Sequence, residues 1–412
     1  MDTLRRRTTA VLVASQVLGG FGVAVGIALA ALLAAEVSGS AGLSGLAMTA
    51  SVLGTAVLSL PLAALMARRG RRPGLVLGYL IGAVGGAVVV LASVLGSFPL
   101  LLAGMTVFGA GSSANLQARF AAADLAPPAR RGRAIAAVMW ATTLGAVLGP
   151  NIAAPAGRTA AALDERIPVT AGPFLWAAAI FLLAAGTVQV LLRPDPLLTA
   201  RKLAEAASPG TQTPGGRSLR AGLAAVSASA RARLALVTLA VSHTVMVGIM
   251  VMTPIDLDHH GAGIELIGLV ISGHVAGMYA FSPLMGRLAD RIGRLALIFS
   301  AFALLAVAAA LAGTAHGHHG QTAAGLFLLG LGWSAGLVGG STLLTDSVPQ
   351  AGRAAAQGLS DLVMNASAAI GGAVAGLVVA QAGYGWLNAL GAALLLPAAL
   401  LALRTALGAR RT

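Results

Sequence analysis

The sequence predicts an all-α membrane protein, with twelve transmembrane helices in two pseudo-symmetric six-helix bundles. Of its 412 residues, 57% are hydrophobic, 10% are charged and 54 are glycine, too little polar surface for a soluble globule of this size. Apolar runs of the ~20 residues needed to cross a hydrocarbon core recur between charged clusters. One basic turn is also used twice. Gly286-Arg287-Leu288-Ala289-Asp290-Arg291-Ile292-Gly293-Arg294 follows one apolar run, and a weaker copy, Ala63-Ala64-Leu65-Met66-Ala67-Arg68-Arg69-Gly70-Arg71, stands some 220 positions earlier.

The first span covers 9–35, after the arginines at 5–7, and is longer than the ~7 to 15 apolar residues of a signal-peptide core. Spans two and three, 42–67 and 74–95, flank the first basic turn, and span four, 99–122, ends before Asp124 and the arginines at 130–133. Spans five and six, 134–157 and 171–192, bring the chain to Arg193. The second set repeats the order: 233–254, then 264–285 before the better copy of the turn, 295–313 after it, 321–345 before Asp346, 354–381 after Arg353, and 384–403.

Net charge is +14. In a soluble chain that would suggest nucleic acid, but here the arginines alternate with the loops. With the N-terminus inside, nearly all of them lie on one side, and only Arg158 and Arg166 on the other. This is the positive-inside pattern, and it predicts a multi-pass protein of the cell membrane with both termini cytoplasmic. The basic excess is therefore topological, and no nucleic-acid partner is expected. Cysteine is absent, which removes disulfides, thiol catalysis and cysteine-bound metal.

The segment 193–231 is long, basic and rich in Pro, Gly, Ser and Thr. It reads as a cytoplasmic linker between an N-terminal bundle, 1–192, and a C-terminal bundle, 232–412, mostly flexible with one interfacial helix near Leu219 to Val226. A second marker repeats at the same offset. Asp124 precedes Arg130-Arg131-Gly132-Arg133, and Asp346 precedes Gly352-Arg353.

On these residues the chain resembles the major facilitator superfamily over essentially its full length. The resemblance implies that the repeated turns are cytoplasmic gates. In the family the first turn carries the fuller motif; here Gly286, Asp290, Arg291, Gly293 and Arg294 complete the second, while the first keeps Arg68, Gly70, Arg71 and Arg72 but has Ala63 and Ala67 for the glycine and the acid. An acid at a helix end can face the positive N-terminus of another helix, and arginines can pair with acids at the ends of spans four and ten. Asp290 is expected to dock at the start of span five near Ala134, Arg287 or Arg291 to pair with Asp346, and Arg68 or Arg71 to pair with Asp124. Ala67 leaves the first latch without its acid.

Span five carries Gly145-Ala146-Val147-Leu148-Gly149-Pro150, similar to the antiporter motif of the drug and proton exchangers in this family. Small residues four apart permit close helix approach, and the proline bends the helix. The resemblance to that efflux branch implies export.

Ionisable groups inside spans are costly and mark candidate sites. Asp361 is the one acid clearly inside a span, and Arg119, near the inner end of span four, is available to pair with it or to attract an anionic group. His243 and His274 lie about ten residues into spans seven and eight, with Met246 and Met250 on the stripe of His243. The three titratable groups are candidates for proton coupling; each histidine equally suits a structural hydrogen bond between helices. Gln16, Asn115, Gln117 and Asn365 are the further cavity candidates, with Trp140 and Trp333 as aromatic surface and Met105 and Met139 as packing. Outer-loop His259 and His260 near Asp256 and Asp258, and His316, His318 and His319, are weak metal candidates without regular ligand spacing, so no metal is assigned.

No phosphate-binding loop occurs, Lys202 is the single lysine, and no catalytic triad has a plausible context, so neither enzyme activity nor a cofactor is expected. The predicted function is secondary transport by alternating access: proton-coupled efflux of small apolar or amphipathic organic molecules by a monomer in the bilayer. The alternatives are an uptake symporter or facilitator for a metabolite, a metal-ion exporter, and a non-transporting membrane sensor.

Overall fold

The computed structural model describes residues 2–40, 43, 45–163, 165–207 and 219–408. Inside these stretches the side chains at 27, 28, 146–151, 153, 154, 160, 161, 163, 207, 264 and 265 lie outside the described set. The elements are helices: α1 (Asp2–Ala28), α2 (Ala30–Ser38), α3 (Gly45–Arg69), α4 (Arg71–Val94), α5 (Phe98–Asp124), α6 (Arg131–Leu163) and α7 (Gly172–Leu191), then α8 (Pro196–Ala207) and α9 (Leu219–Ser227), then α10 (Ala230–His259), α11 (Ile264–Tyr279), α12 (Ser282–Arg291), α13 (Arg294–Gly313), α14 (His319–Ser347), α15 (Arg353–Ala382) and α16 (Tyr384–Gly408).

Among the described residues ten helical stretches are long and apolar enough to cross a membrane, counting α1 with α2, α7 with α8, and α11 with α12 as single stretches. The two other long helices are α5, of 27 residues, and α6, of 33. Ser112, Ser113, Asn115, Gln117 and Arg119 dilute the apolar character of α5. The span expected at 264–285 is divided into α11 and α12. Pro283 lies in the first turn of α12, and proline lacks the N–H that a helix continuing from α11 would use. The linker holds two helices, α8 and α9; the stretch 208–218 between them lies outside the described residues.

The chain forms two compact units. The first comprises 1–126, 141–222 and 350–362; the second comprises 127–140, 223–349 and 363–412. In the first, α4 packs on α5 and α7, α3 on α5, and α1 on α7. Glycine brings these helices close enough for backbone contact: a Cβ on Gly54 of α3 would collide with the Thr106 carbonyl of α5. In the second, α14 packs on α13, α11 and α10, and α16 on α13 and α10.

Both repeated turns reverse through a glycine at positive φ, Gly70 at 95° and Gly293 at 94°, a backbone that L side chains rarely adopt. One local conformation thus recurs in both copies.

Candidate functional site

In the second unit, the end of α12 meets the start of α6. Asp290 Oδ1 accepts from the Gly132 N–H and Oδ2 from the Arg133 N–H, each at 3.1 Å, and Arg133 Nε adds a bond at 3.2 Å. The carboxylate therefore satisfies the N–H groups that open α6, where the helix dipole favours an anion. A Cβ on Gly286, one turn earlier, would lie 2.6 Å from Ala136 Cβ, so glycine permits the docking.

Asp346 closes the same patch, with partners other than those expected. Arg131 Nη1 reaches Asp346 Oδ1 at 2.5 Å and Arg294 Nε reaches Oδ2 at 3.0 Å. Arg287 and Arg291 are exposed. The reason is positional: Arg294 opens α13, which packs on α14, and Asp346 stands at the end of α14. Arg287 and Arg291, one turn apart on α12, share its exposed face.

In the first unit the corresponding cluster is buried. Arg71 grips Asp124 with two bonds, Nε to Oδ2 at 2.7 Å and Nη2 to Oδ1 at 3.2 Å, while Arg68 is exposed. Arg71 also donates to Gln117 Oε1 at 3.3 Å and to Gln357 Oε1 at 2.5 Å. Gln117 Nε2 passes the chain on to Asp361 Oδ2 at 2.7 Å, and Arg119 Nη2 donates to Asp361 Oδ1 at 2.6 Å. Two cations and two anions are thus desolvated and joined through Gln117, with Gln357 held on Arg71 beside them. A buried arrangement of this kind is tenable only when the charges balance and the remaining donors are satisfied.

The small-residue contact has changed sides between copies. In the second unit glycine is on the turn-bearing helix, Gly286 against Ala136. In the first, alanine is on that helix and glycine on its partner: a Cβ on Gly358 of α15 would collide with Ala63 Cβ, and Ser59 Oγ donates to the Gly358 carbonyl at 3.3 Å. The alanine at 63, read from sequence as a lost glycine, has its glycine on the facing helix.

Within the spans, His243 stands near the middle of α10 and is part-buried. Trp333 Nε1 donates to its Nδ1 at 2.8 Å. Tyr279 meets the Trp333 ring edge-on, with centroids 5.5 Å apart, and the His243 and Trp333 rings are tilted at 5.9 Å. Met246 is buried and Met250 half-buried. His274 is fully buried between α11 and α14. Its Nδ1 bonds the Leu326 carbonyl at 2.8 Å, and its Nε2 has no hydrogen-bond partner among the described residues. The two histidines, equivalent by depth, therefore differ in setting.

Gln16 donates to Thr142 Oγ1 at 2.9 Å, and Asn115 accepts from the Tyr79 hydroxyl at 2.8 Å. Asn365 is buried on α15, Met105 and Met139 are buried, and Trp140 is exposed. A Cβ on Gly145 would lie 2.5 Å from the Phe21 amide nitrogen, so Gly145 lets α6 approach α1. Gly149 and Pro150 lie in α6, with side chains outside the described set. His259 and His260 are exposed, His260 bonding the Asp256 carbonyl at 2.7 Å. Among the described residues no group of three or more His, Asp or Glu side chains is placed to hold a metal ion.

Sequence reading did not find Tyr79, Thr142 or Gln357. The one available signal was for Gln357, which precedes Asp361 by one helical turn and so shares its face.

Membrane-length helices whose charges gather at helix ends and in one buried network define a multi-pass helical membrane protein. The chain belongs to the Major Facilitator Superfamily, whose profile matches residues 10–264 and again 234–411. It is 38% identical to the MFS-type transporter YdeG of Bacillus subtilis (strain 168), over 94% of this chain and 89% of that one. It is 31% identical to the riboflavin transporter RfnT of Brucella anthropi, over 94% of this chain and 92% of that one. Among solved structures, the human organic anion transporter MFSD10 aligns with a TM-score of 0.76 at 19% identity, covering 97% of this chain and 99% of that one. The proton:xylose symporter XylE aligns at 0.74 and 19%, covering 98% and 95%. At these identities the structural likenesses establish the fold.

Proposed function

We propose that the chain is a proton-coupled secondary transporter of the cell membrane that exports small, largely apolar organic molecules with a planar aromatic part. The observation that carries this reading is the His243, Trp333 and Tyr279 cluster, three rings from α10, α14 and α11 in the middle of the spans. Flat apolar cargo would stack on such rings once the buried Trp333 face opens, and among the described residues the cluster carries no unbalanced charge to hold a strongly ionic one. The name of the relative RfnT, a riboflavin transporter, supports a planar heteroaromatic solute.

The same bond supports proton coupling. Trp Nε1 is a donor only, so His243 Nδ1 must accept; a proton placed on Nδ1 would break this bond. His243 is thus the leading proton carrier, with His274 and Asp361 as the other ionisable candidates in the spans. The export direction rests on the motif of Gly145, Gly149 and Pro150.

The cycle is alternating access by two bundles, 1–192 and 232–412, joined by the linker 193–231, acting as a monomer with both termini cytoplasmic. The cytoplasmic gate consists of the two docks: Asp290, Gly286 and Gly293 with Arg131, Arg294 and Asp346, and Arg71 and Gly70 with Asp124, Gln357, Arg119 and Asp361. Arg68, Arg287 and Arg291 flank it as exposed cations.

The test is flux of riboflavin and a panel of planar dyes in cells with and without the protein, repeated after the proton gradient is collapsed. Export predicts lower accumulation that returns to the control level on collapse. Trp333→Phe keeps a ring but removes the Nε1–H donor to His243 and should weaken the dependence of flux on the proton gradient. Gradient-dependent accumulation instead of loss would reverse the direction to uptake, and flux indifferent to both gradient and Trp333→Phe would overturn the reading.

A further inference from the structure

The two repeated turns share a backbone and differ in what fills them. Gly70 (φ 95°, ψ 173°) precedes α4, and Gly293 (φ 94°, ψ 158°) precedes α13. A Cβ on Gly293 would meet nothing within 4 Å, whereas one on Gly70 would lie 2.5 Å from Asp195 Cγ. Asp195 belongs to the linker. Its Oδ2 accepts from the Arg72 N–H at 2.7 Å, and its Oδ1 accepts from the Leu197 and Leu198 N–H groups at 3.0 and 3.1 Å. One carboxylate therefore caps two helix N-termini, that of α4 and that of α8.

A second contact comes from the same linker helix. Arg201 Nη1 donates to the Ala67 carbonyl at 2.8 Å, satisfying an acceptor at the C-terminal end of α3. Ala67 is the position where the second copy carries Asp290. Leu197, between the two contacts, is fully buried. The other linker helix reaches the same unit: a Cβ on Gly222 of α9 would lie 2.8 Å from the Ala355 carbonyl and 3.2 Å from Leu359 Cβ, at the start of α15.

We propose that α8 is a strap on the first repeated turn, and that Asp195 is a positioning residue supplying from the linker the negative charge which that turn lacks at Ala67. The mechanism is local. Asp195 and Arg201 fix the end of α3 and the start of α4, and between them stands Arg71, the cation that holds Asp124, Gln117 and Gln357. Freed from the strap, the turn lets Arg71 move, and the first turns of α15 lose their anchor at Gln357. Only this last step rests on the gating role proposed above.

The chain has no cysteine, so Ala355→Cys gives a single thiol in a buried place at the start of α15. Full-length protein carrying it, in phospholipid nanodiscs, is alkylated with N-ethylmaleimide, and the rate is compared across Asp195→Ala, Asp195→Asn, Gly70→Ala and Gly293→Ala. The glycine variants form a matched pair: both place an L side chain at positive φ, and only Gly70→Ala also displaces Asp195. Loss of a cap shared by two helices should speed labelling about tenfold in Asp195→Ala and Gly70→Ala, with Asp195→Asn intermediate and Gly293→Ala well below Gly70→Ala. Equal labelling of Gly70→Ala and Gly293→Ala, or a parent rate in Asp195→Ala, overturns the strap. Should Asp195→Ala not fold, the glycine pair and Asp195→Asn decide. Alkylation needs no transported solute, so the strap and the transport reading fail separately.

Discussion

Replacing Asp361 by asparagine tests the buried network at its most exposed assumption, that its charges depend on one another. Arg119 and Asp361 lie 2.6 Å apart with side chains 2% and 0% exposed, so removing the anion leaves a guanidinium with no water to replace it. Breaking such a pair from one side costs about 3–5 kcal/mol, whereas removing both charges is often nearly neutral. Asp361→Asn preserves shape and an acceptor for Gln117, which isolates the charge. The double variant Asp361→Asn/Arg119→Gln should recover at least ~2 kcal/mol of the loss, because neither charge is then left alone. The assay is unfolding in mixed micelles titrated with dodecyl sulfate, followed by the fluorescence of the four tryptophans. A single-variant cost below about 1 kcal/mol, the value for a solvated pair, or additivity of the two variants within ~0.5 kcal/mol, would refute the account.

Two further outcomes are expected. Gly358→Ala should cost ~1–3 kcal/mol by overpacking against Ala63, and Ala63→Gly in the same chain should restore most of it, read by the same titration. Asp290→Asn removes the charge at the start of α6 and should cost ~0.3–2 kcal/mol, since the acid is nearly buried at a helix N-terminus; transport should show a changed turnover with an unchanged KM, and an altered KM alone would count against a gating role.

The spans were legible because apolar length is a local property that needs no partner. The repeated turns were legible for a similar reason: their residues are contiguous, so Asp290 and the start of α6 could be matched from two short motifs. Arg119 and Asp361 stood out as charges within apolar runs. What stayed hidden depended on helix rotation and on distant segments. His243 and His274 sit at similar depth, yet one bonds Trp333 and the other a backbone carbonyl between α11 and α14. Arg294 in place of Arg287 at Asp346 follows from which helix lies beside the end of α14, and Asp195 at Gly70 joins segments that share no pattern. The break at Ala280 and Phe281 was written in Pro283 but masked by the apolar run around it.

The exchange of glycine and alanine between Ala63/Gly358 and Gly286/Ala136 bears on how duplicated proteins diverge. What the two seams hold in common is the combined bulk of a facing pair, not the residue on either strand of sequence. Selection acting on that total leaves each half free to lose its signature, provided the opposite wall gives up one methyl. Descendants of such a duplication can thus drift apart in their motifs while their joints stay interchangeable.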